Sequence, residues 1–202
     1  MQTLLPIAYL PSLSYMVRLL QGPCTIDLHE HFVKRSERNR ARILTANGVM
    51  ELTAHVQHGN RPRTPICDLR LDYSKRWQHQ HATALRSAYK SSPCFDFYWD
   101  ALAPFYEREW KFLVDYNLEL LALLLDLLGH PERMPRLSSA YLVAEAGDLD
   151  LRPKKSEGPI FEIEPYVQVF SDRMPFVPNL SILDLLCAEG PAAAALLARC
   201  RI

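Results

Sequence analysis

The apolar positions of this chain change their spacing along its length, predicting a sheet-forming first third, a helical middle and a mixed tail. Thr3 to Tyr9 is a short apolar run that predicts a strand, and Pro11-Ser12 opens a helical spacing through Tyr15, Val17, Leu19 and Leu20. Cys24 to Leu28 predicts a second short strand. Arg40 to Leu44 and Met50 to Val56 flank Asn47-Gly48, a dipeptide that supplies the positive backbone angles of a tight hairpin turn. Successive side chains of a strand point to opposite faces, so Arg40 and Arg42 would share one face and Asn39, Ala41 and Ile43 the other. After a Gly/Pro/Arg loop from His58 to Pro65, Cys67, Leu69 and Leu71 alternate with Asp68, Arg70 and Asp72, the spacing of a half-buried strand.

Ser74 then offers an N-cap, and Trp77, His81, Leu85 and Ala88 line one face of a helix ending near Ser92-Pro93. A second helix is predicted from Phe95 toward Tyr106, bent or broken by Pro104, and a third from Glu109 to Leu128, stopped by Gly129 and Pro131. Leu118 to Leu128 is the most apolar run, but Glu119 and Asp126 lie with Asp115 near one stripe, the pattern of a buried amphipathic helix and not of a membrane span. The stretch from Glu132 to Pro159, with Arg152, Lys154 and Lys155 beside Gly147 and Gly158, is polar and irregular and reads as a surface excursion. Tyr166-Val-Gln-Val-Phe170 predicts a strand, Ser181-x-x-Asp184 has the form of a capping box, and Ala192 to Ala198 a last short helix after Gly190-Pro191. The expected fold is a single α/β or α+β domain over residues 1–202. Its small mixed sheet would come from the N-terminal third and the C-terminal tail, covered by the helices of the middle.

Composition narrows the class. Hydrophobic residues at 49% and charged ones at 23% are globular proportions. Lys+Arg 23 against Asp+Glu 23 argues against a nucleic-acid binder, which needs a broad positive surface. Cys24, Cys67, Cys94, Cys187 and Cys200 are odd in number and form no C-x-x-C pair, so neither a disulfide framework nor a zinc knuckle is indicated. With no signal-peptide pattern at Met-Gln-Thr-Leu-Leu-Pro and no apolar run long enough to span a bilayer, a cytoplasmic protein is expected.

Against this neutral background, Lys34, Arg35, Arg38, Arg40 and Arg42 crowd into twelve residues, 32–43, with only Glu37 to offset them. Guanidinium groups bind carboxylate and phosphate through paired planar hydrogen bonds, so Lys34 as a point charge, Arg40 as a fork and Asn39 suit a small acidic ligand. The same atoms would serve a structural salt bridge to Asp27 or Glu51, and Arg35, Arg38 and Arg42 are expected to be solvated. His81 is either a general base or a half-buried histidine held by one hydrogen bond. Asp27 would orient a cation, bind a sugar hydroxyl or serve as a turn residue. On a strand, Asp27-x-His29-x-His31 would project one carboxylate and two imidazoles to one side as metal ligands. Cys94, near a helix start, is either an acidified thiol or a buried structural cysteine. The Tyr9-Leu-Pro-Ser12 turn would offer free backbone N–H groups to a phosphate, although no glycine-rich loop accompanies it.

Ala8-Tyr-Leu-Pro-Ser-Leu-Ser-Tyr15, Asp27, Phe32-Val-Lys34, Asn39-Arg40, Trp77-x-x-x-His81, Ala88-Tyr89 with Ser92-Pro93, and Asn117 occur in an order that resembles the WbqC-like family. Tyr166-Val-Gln168-Val-Phe170 and Pro178-Asn-Leu-Ser181-Ile-Leu-Asp184 resemble its form with an extended C-terminus. That family is associated with bacterial O-antigen and other surface-polysaccharide gene clusters. The resemblance implies a transferase that adds an aminoacyl group, such as glycyl, or a similar acyl group to a sugar. His81 and Lys34 would be catalytic, and Asp27, Asn39, Arg40 and Tyr89 would bind substrate. An activated carboxyl would require ATP or a pre-activated donor, and polysaccharide-biosynthesis enzymes would be its partners. The alternatives are a noncatalytic module holding an acidic sugar or nucleotide-sugar, and a metal-dependent hydrolase using Asp27, His29 and His31.

Overall fold

β1 (Thr3–Leu5) and β2 (Cys24–Ile26) run parallel, with Thr3 opposite Cys24 and Leu5 opposite Ile26, and α1 (Leu13–Gln21) makes the crossover between them. The computed structural model describes residues 2–57, 63–153 and 161–201. Lys154, Lys155 and Gly158 of the expected excursion, and most of the loop after His58, lie outside the described residues. α1 begins where Ser12 takes an extended backbone and its Oγ accepts from the Tyr15 N–H at 3.4 Å. Leu13, Met16, Val17 and Leu19 bury one stripe, which leaves Ser14 and Arg18 on the other side of the helix.

Two more strands complete the sheet, β5 (Arg136–Leu137) beside β2 and β6 (Leu149–Asp150) beside β1. The order is β5-β2-β1-β6, all parallel. The fold is thus mixed α/β, but its outer strands come from the polar stretch after Glu132 and not from the tail. Tyr166 to Phe170 forms no strand because the buried Asp184 carboxylate draws its donors from there. Tyr166 donates its hydroxyl to Asp184 Oδ2 at 2.6 Å, and the Gln168 amide donates to the same oxygen at 2.9 Å. Asp184 therefore does not close a capping box; Ser181 caps alone, accepting from the Leu183 N–H at 3.3 Å.

β3 (Arg40–Thr45) and β4 (Gly48–Thr53) form the expected antiparallel hairpin, with Arg42 opposite Glu51. Of the turn dipeptide only Gly48 takes a positive φ, 99°, so the glycine alone supplies the reversal. Ala41 and Ile43 are buried, while Arg40 and Arg42 share the opposite face as the alternation requires. The alternation at Cys67 to Asp72 does not become a strand. Ile66–Asp68 is a 3₁₀ turn closed by the Asp68 N–H on Pro65 O at 3.2 Å, and Arg70 and Leu71 pair only as single bridges, with Phe112 and Val56.

The helices of the middle are α2 (Trp77–Tyr89), α3 (Phe95–Leu102), α4 (Pro104–Glu107) and α5 (Leu113–Leu127), with the break between α3 and α4 at Pro104 as its missing N–H predicts. Arg76 and not Ser74 precedes the first turn of α2. α5 starts later than its sequence pattern because Trp110 and Lys111 spend their carbonyls on the Tyr73 hydroxyl and the Leu71 N–H. It ends at Gly129, φ 76°, where His130 N–H bonds Leu125 O and Gly129 N–H bonds Asp126 O. α6 (Ile182–Glu189) and α7 (Ala193–Arg199) close the chain, and one buried cluster runs from β1 and α1 through α2 and α5 to these two. No helix among the described residues is long and apolar enough to cross a membrane.

Gly190 joins α6 to α7 at φ 53° and ψ −126°, and a Cβ there would sit 2.6 Å from Cys94 Sγ. Gly190→Ala is expected to cost at least ~1–3 kcal/mol of backbone strain, read as a lower urea midpoint, and Cys94→Ala in the same chain should recover only the steric share.

Candidate functional site

Parallel sheets present ligands beyond the carboxyl ends of their strands, and here β1 exits into Pro6, β2 into Asp27 and β6 into Leu151-Arg152. Asp27 is fully buried. Its Oδ1 accepts from the His29 N–H at 2.9 Å and the Ser138 hydroxyl at 3.0 Å, and its Oδ2 from the Leu142 N–H at 3.1 Å and from Arg152 Nη1. Arg152 sets its Nε and Nη2 on the two oxygens of Asp150, each at 2.8 Å. Arg38, 1% exposed, uses the same edge on Glu30 and reaches Arg152 O at 2.8 Å. Burial pushes the Glu30 carboxyl up to about 7, with Arg38 opposing the shift.

On this floor lies a cavity of about 510 Å³, walled by the polar side of α1, the segment from Arg35 to Arg42, Glu51, Leu151 to Pro153, Phe161, and Asn179 with Ser181. Among the described residues six arginines line it, Arg18, Arg35, Arg38, Arg40, Arg42 and Arg152, against two glutamates, Glu37 and Glu51. Arg38 and Arg152 are spent on the floor, and Arg40 Nη1 is paired with Glu51 across the hairpin. Arg40 Nε and the Nε and Nη2 of Arg18 are buried without a hydrogen-bond partner among the described residues. Glu37 lies beside Ser12, and burial raises its carboxyl above the usual range while Ser12, Arg42 and Arg38 hold it back.

Around the turn that opens α1, four backbone N–H groups are already taken by acceptors of the protein. Leu13 N–H bonds Leu180 O at 3.0 Å, Ser14 N–H bonds Asn179 Oδ1 at 2.9 Å, Tyr15 N–H bonds Ser12 Oγ, and Tyr9 N–H bonds Glu37 O at 2.8 Å. The guanidinium groups supply positive charge to the lining.

Arg35, Arg38, Arg40 and Arg42 of the basic cluster line this cavity, whereas of Lys34, Asp27, Asn39, Arg40, His81 and Tyr89, the residues given site roles, Arg40 alone does. Its bridge to Glu51 is the structural pairing weighed for it. Lys34 is exposed and outside the lining. Asn39 is buried and donates to Ala54 O at 2.8 Å, holding the exit of β4. Tyr89 is fully buried, its hydroxyl taking the Leu44 N–H at 3.4 Å. His81, 4% exposed, is packed against Trp77 and Tyr9, and its Nδ1 meets the Tyr9 hydroxyl at 2.8 Å. Burial lowers the His81 pKa to about 4, so the ring is neutral near pH 7 while its Nδ1 shares this hydrogen bond with Tyr9. Arg38 is buried and not solvated, because Glu30 lies within reach to compensate it. β2 ends at Ile26, so the alternation that would align Asp27, His29 and His31 does not exist. His29 lies 4.0 Å from Cys67 Sγ, His31 stacks on Tyr141, and no metal-holding group of three or more His, Cys, Asp or Glu occurs among the described residues. Cys94 is half-buried beside Gly190, its N–H donated to Cys187 O at 3.1 Å.

Sequence reasoning missed Arg18, Glu37 and Arg152. Arg152 lay in the stretch taken as an excursion, where strands of two residues leave no periodicity to detect. Arg18 carried one legible signal, its position four residues after Ser14 on the polar side of an otherwise apolar helix.

The model of the WbqC-like protein family matches residues 8–155 of the chain. Searches of curated proteins and of solved structures gave no match.

Two outcomes follow from the geometry. Arg152→Met strips the ion pair from buried Asp27 and should cost ~3–5 kcal/mol, measured by urea unfolding. His81 binds its proton less readily when folded, so its share of stability is present above pH 6.5 and lost as pH falls from 6.5 to about 4. That share is on the order of 3 kcal/mol, and His81→Gln should show a correspondingly smaller stability difference between pH 7 and pH 4.5 than the parent chain.

Proposed function

The chain belongs to the WbqC-like protein family, and we propose that it is a transferase of bacterial surface-polysaccharide assembly, moving an aminoacyl or similar acyl group from an activated donor to a sugar. The observation that carries this is the cavity, in which six arginines face two glutamates at the carboxyl end of a parallel sheet. A site of that charge suits a phosphorylated or otherwise acidic donor. Arg40 and Arg42, side by side on one face of β3, hold the donor phosphate. Glu37 takes the proton of the acceptor hydroxyl as that oxygen bonds to the acyl carbon. The bond from the acyl carbon to the phosphate oxygen breaks, and its electron pair leaves with the phosphate toward the arginines. The upward pull of burial on Glu37 brings its basicity closer to what proton transfer near neutral pH requires.

A thermal-shift panel of ATP, nucleotide-sugars and an acyl phosphate, followed by a transfer assay on the sugars that bind, tests this. A ligand at a hundred times its dissociation constant adds about 2.7 kcal/mol of stability. Arg40→Ala and Arg42→Ala are each expected to weaken the donor about tenfold, near 1.4 kcal/mol. Glu37→Gln should keep donor affinity within about twofold and lower kcat by ~10²–10⁴. Binding without any transfer by the parent chain would replace the enzyme with a noncatalytic holder of acidic sugars.

A further inference from the structure

The Nε and Nη2 atoms of Arg18 form the side edge of its guanidinium, and both are buried with no hydrogen-bond partner among the described residues. In the two saturated arginines nearby the same edge does one job. Arg38 sets Nε and Nη2 on the two oxygens of Glu30, and Arg152 sets them on the two oxygens of Asp150. The edge matches two oxygens of one acid, and leaving its N–H groups unmade in a buried place is costly. Phe161 lies against the Arg18 guanidinium, whose Cζ is 5.0 Å from the ring centroid, so the side chain is held by stacking.

Arg18 also stands apart from the arginines of β3. Ser12, at the start of α1, is bridged to Ser181, whose N–H bonds Arg42 O at 2.8 Å, so the arginine face of the hairpin meets the first turn of the helix. Arg18 is six residues further along α1, an axial rise of about 9 Å. The cavity is lined at both places.

We infer that Arg18 and Phe161 form a second anion subsite, and that the substrate of this cavity carries two acidic groups, one on Arg40 and Arg42 and another, a carboxylate or a phosphate monoester, on the Nε–Nη2 edge of Arg18. This deepens the proposed function and rests on the cavity being the substrate site. The chemistry common to the two acids is a pair of oxygens on one centre. Arg18 is the residue that selects for it, because a lysine would supply the charge without the fork.

The test uses the full chain and calorimetric titration with two spaced bis-anions, suberate and hexanediol bisphosphate, and with acetate and inorganic phosphate as single anions. The bis-anions are expected to bind more tightly than the single ones, and Arg18→Lys to weaken them roughly tenfold or more while leaving the single anions within about twofold. Whether suberate or the bisphosphate gains more identifies the acid. In parallel, the Arg18 Nε–H resonance of the parent chain, assigned by NMR, should move on adding the tighter bis-anion, a readout that does not depend on how the variant folds. If Arg18→Lys binds all four probes as the parent does, and the resonance stays put while Arg42→Ala loses binding, the subsite is refuted and the cavity remains a site for one anion. If no probe binds the parent chain, both the subsite and the donor site fail.

Discussion

A guanidinium buried where parallel strands end must be surrounded by acceptors, and Arg152 meets this by joining segments that the short strands hold only weakly. It spans from β6, which it follows, to Asp27 after β2, and to Leu142 O beyond β5. Asp27 in turn takes Ser138 and Leu142, so the connection between β5 and β6 is fixed by donors to one carboxylate. Arg38 brings in the basic segment through Arg152 O, and Asn117 of α5 donates to Arg38 O at 2.8 Å. Buried ion pairs of this kind contribute little beyond what apolar packing would give, but breaking one leaves an uncompensated charge, so they penalise every arrangement except the one that pairs them. With outer strands of two residues, the ladder cannot set the register by itself.

The parts legible in the sequence are those where a local pattern had enough length to repeat. α1 had its serine cap and apolar stripe, the hairpin its six-residue strands and glycine, and α5 four turns with a glycine stop. The face shared by Arg40 and Arg42, and hence one wall of the cavity, followed from strand alternation alone. What stayed hidden depends on partners distant in sequence. Nothing local marks Leu149–Asp150 as a strand, and Tyr166 to Phe170 has a strand's composition but is claimed by Asp184. Arg38 looked like its solvated neighbours because the carboxylate that buries it is eight residues away, across a turn.

The same distinction separates residues that mark the family from residues that face the cavity. Asn39, His81, Tyr89 and Asn117 all contributed to the resemblance, and each is buried in a hydrogen bond that holds a strand, a helix or a turn. His81 illustrates the physical reason. Its helix places it on the apolar stripe with Trp77, where burial keeps the ring neutral and weakens it as a base, and it lies outside the lining of the cavity. A sequence signature records what the fold needs as readily as what the chemistry needs.

Charge density alone did not identify the site either; saturation did. Of six arginines around one cavity, Arg38 and Arg152 have their forks filled by carboxylates of the floor, and Arg40 is filled in part by Glu51. The saturated pair supplies rigidity and little net field, since Glu30, Asp27 and Asp150 lie against it. Under the proposed function the remaining cations would meet an anion from this braced frame, and charges fixed in place bind and stabilise most effectively. Glu37, the other carboxylate of the lining beside Glu51, stands next to Ser12 at the start of α1, where Ser12, Arg42 and Arg38 oppose the upward pull of burial on its carboxyl. The start of one short helix thus marks one end of the cavity and the place of its acid.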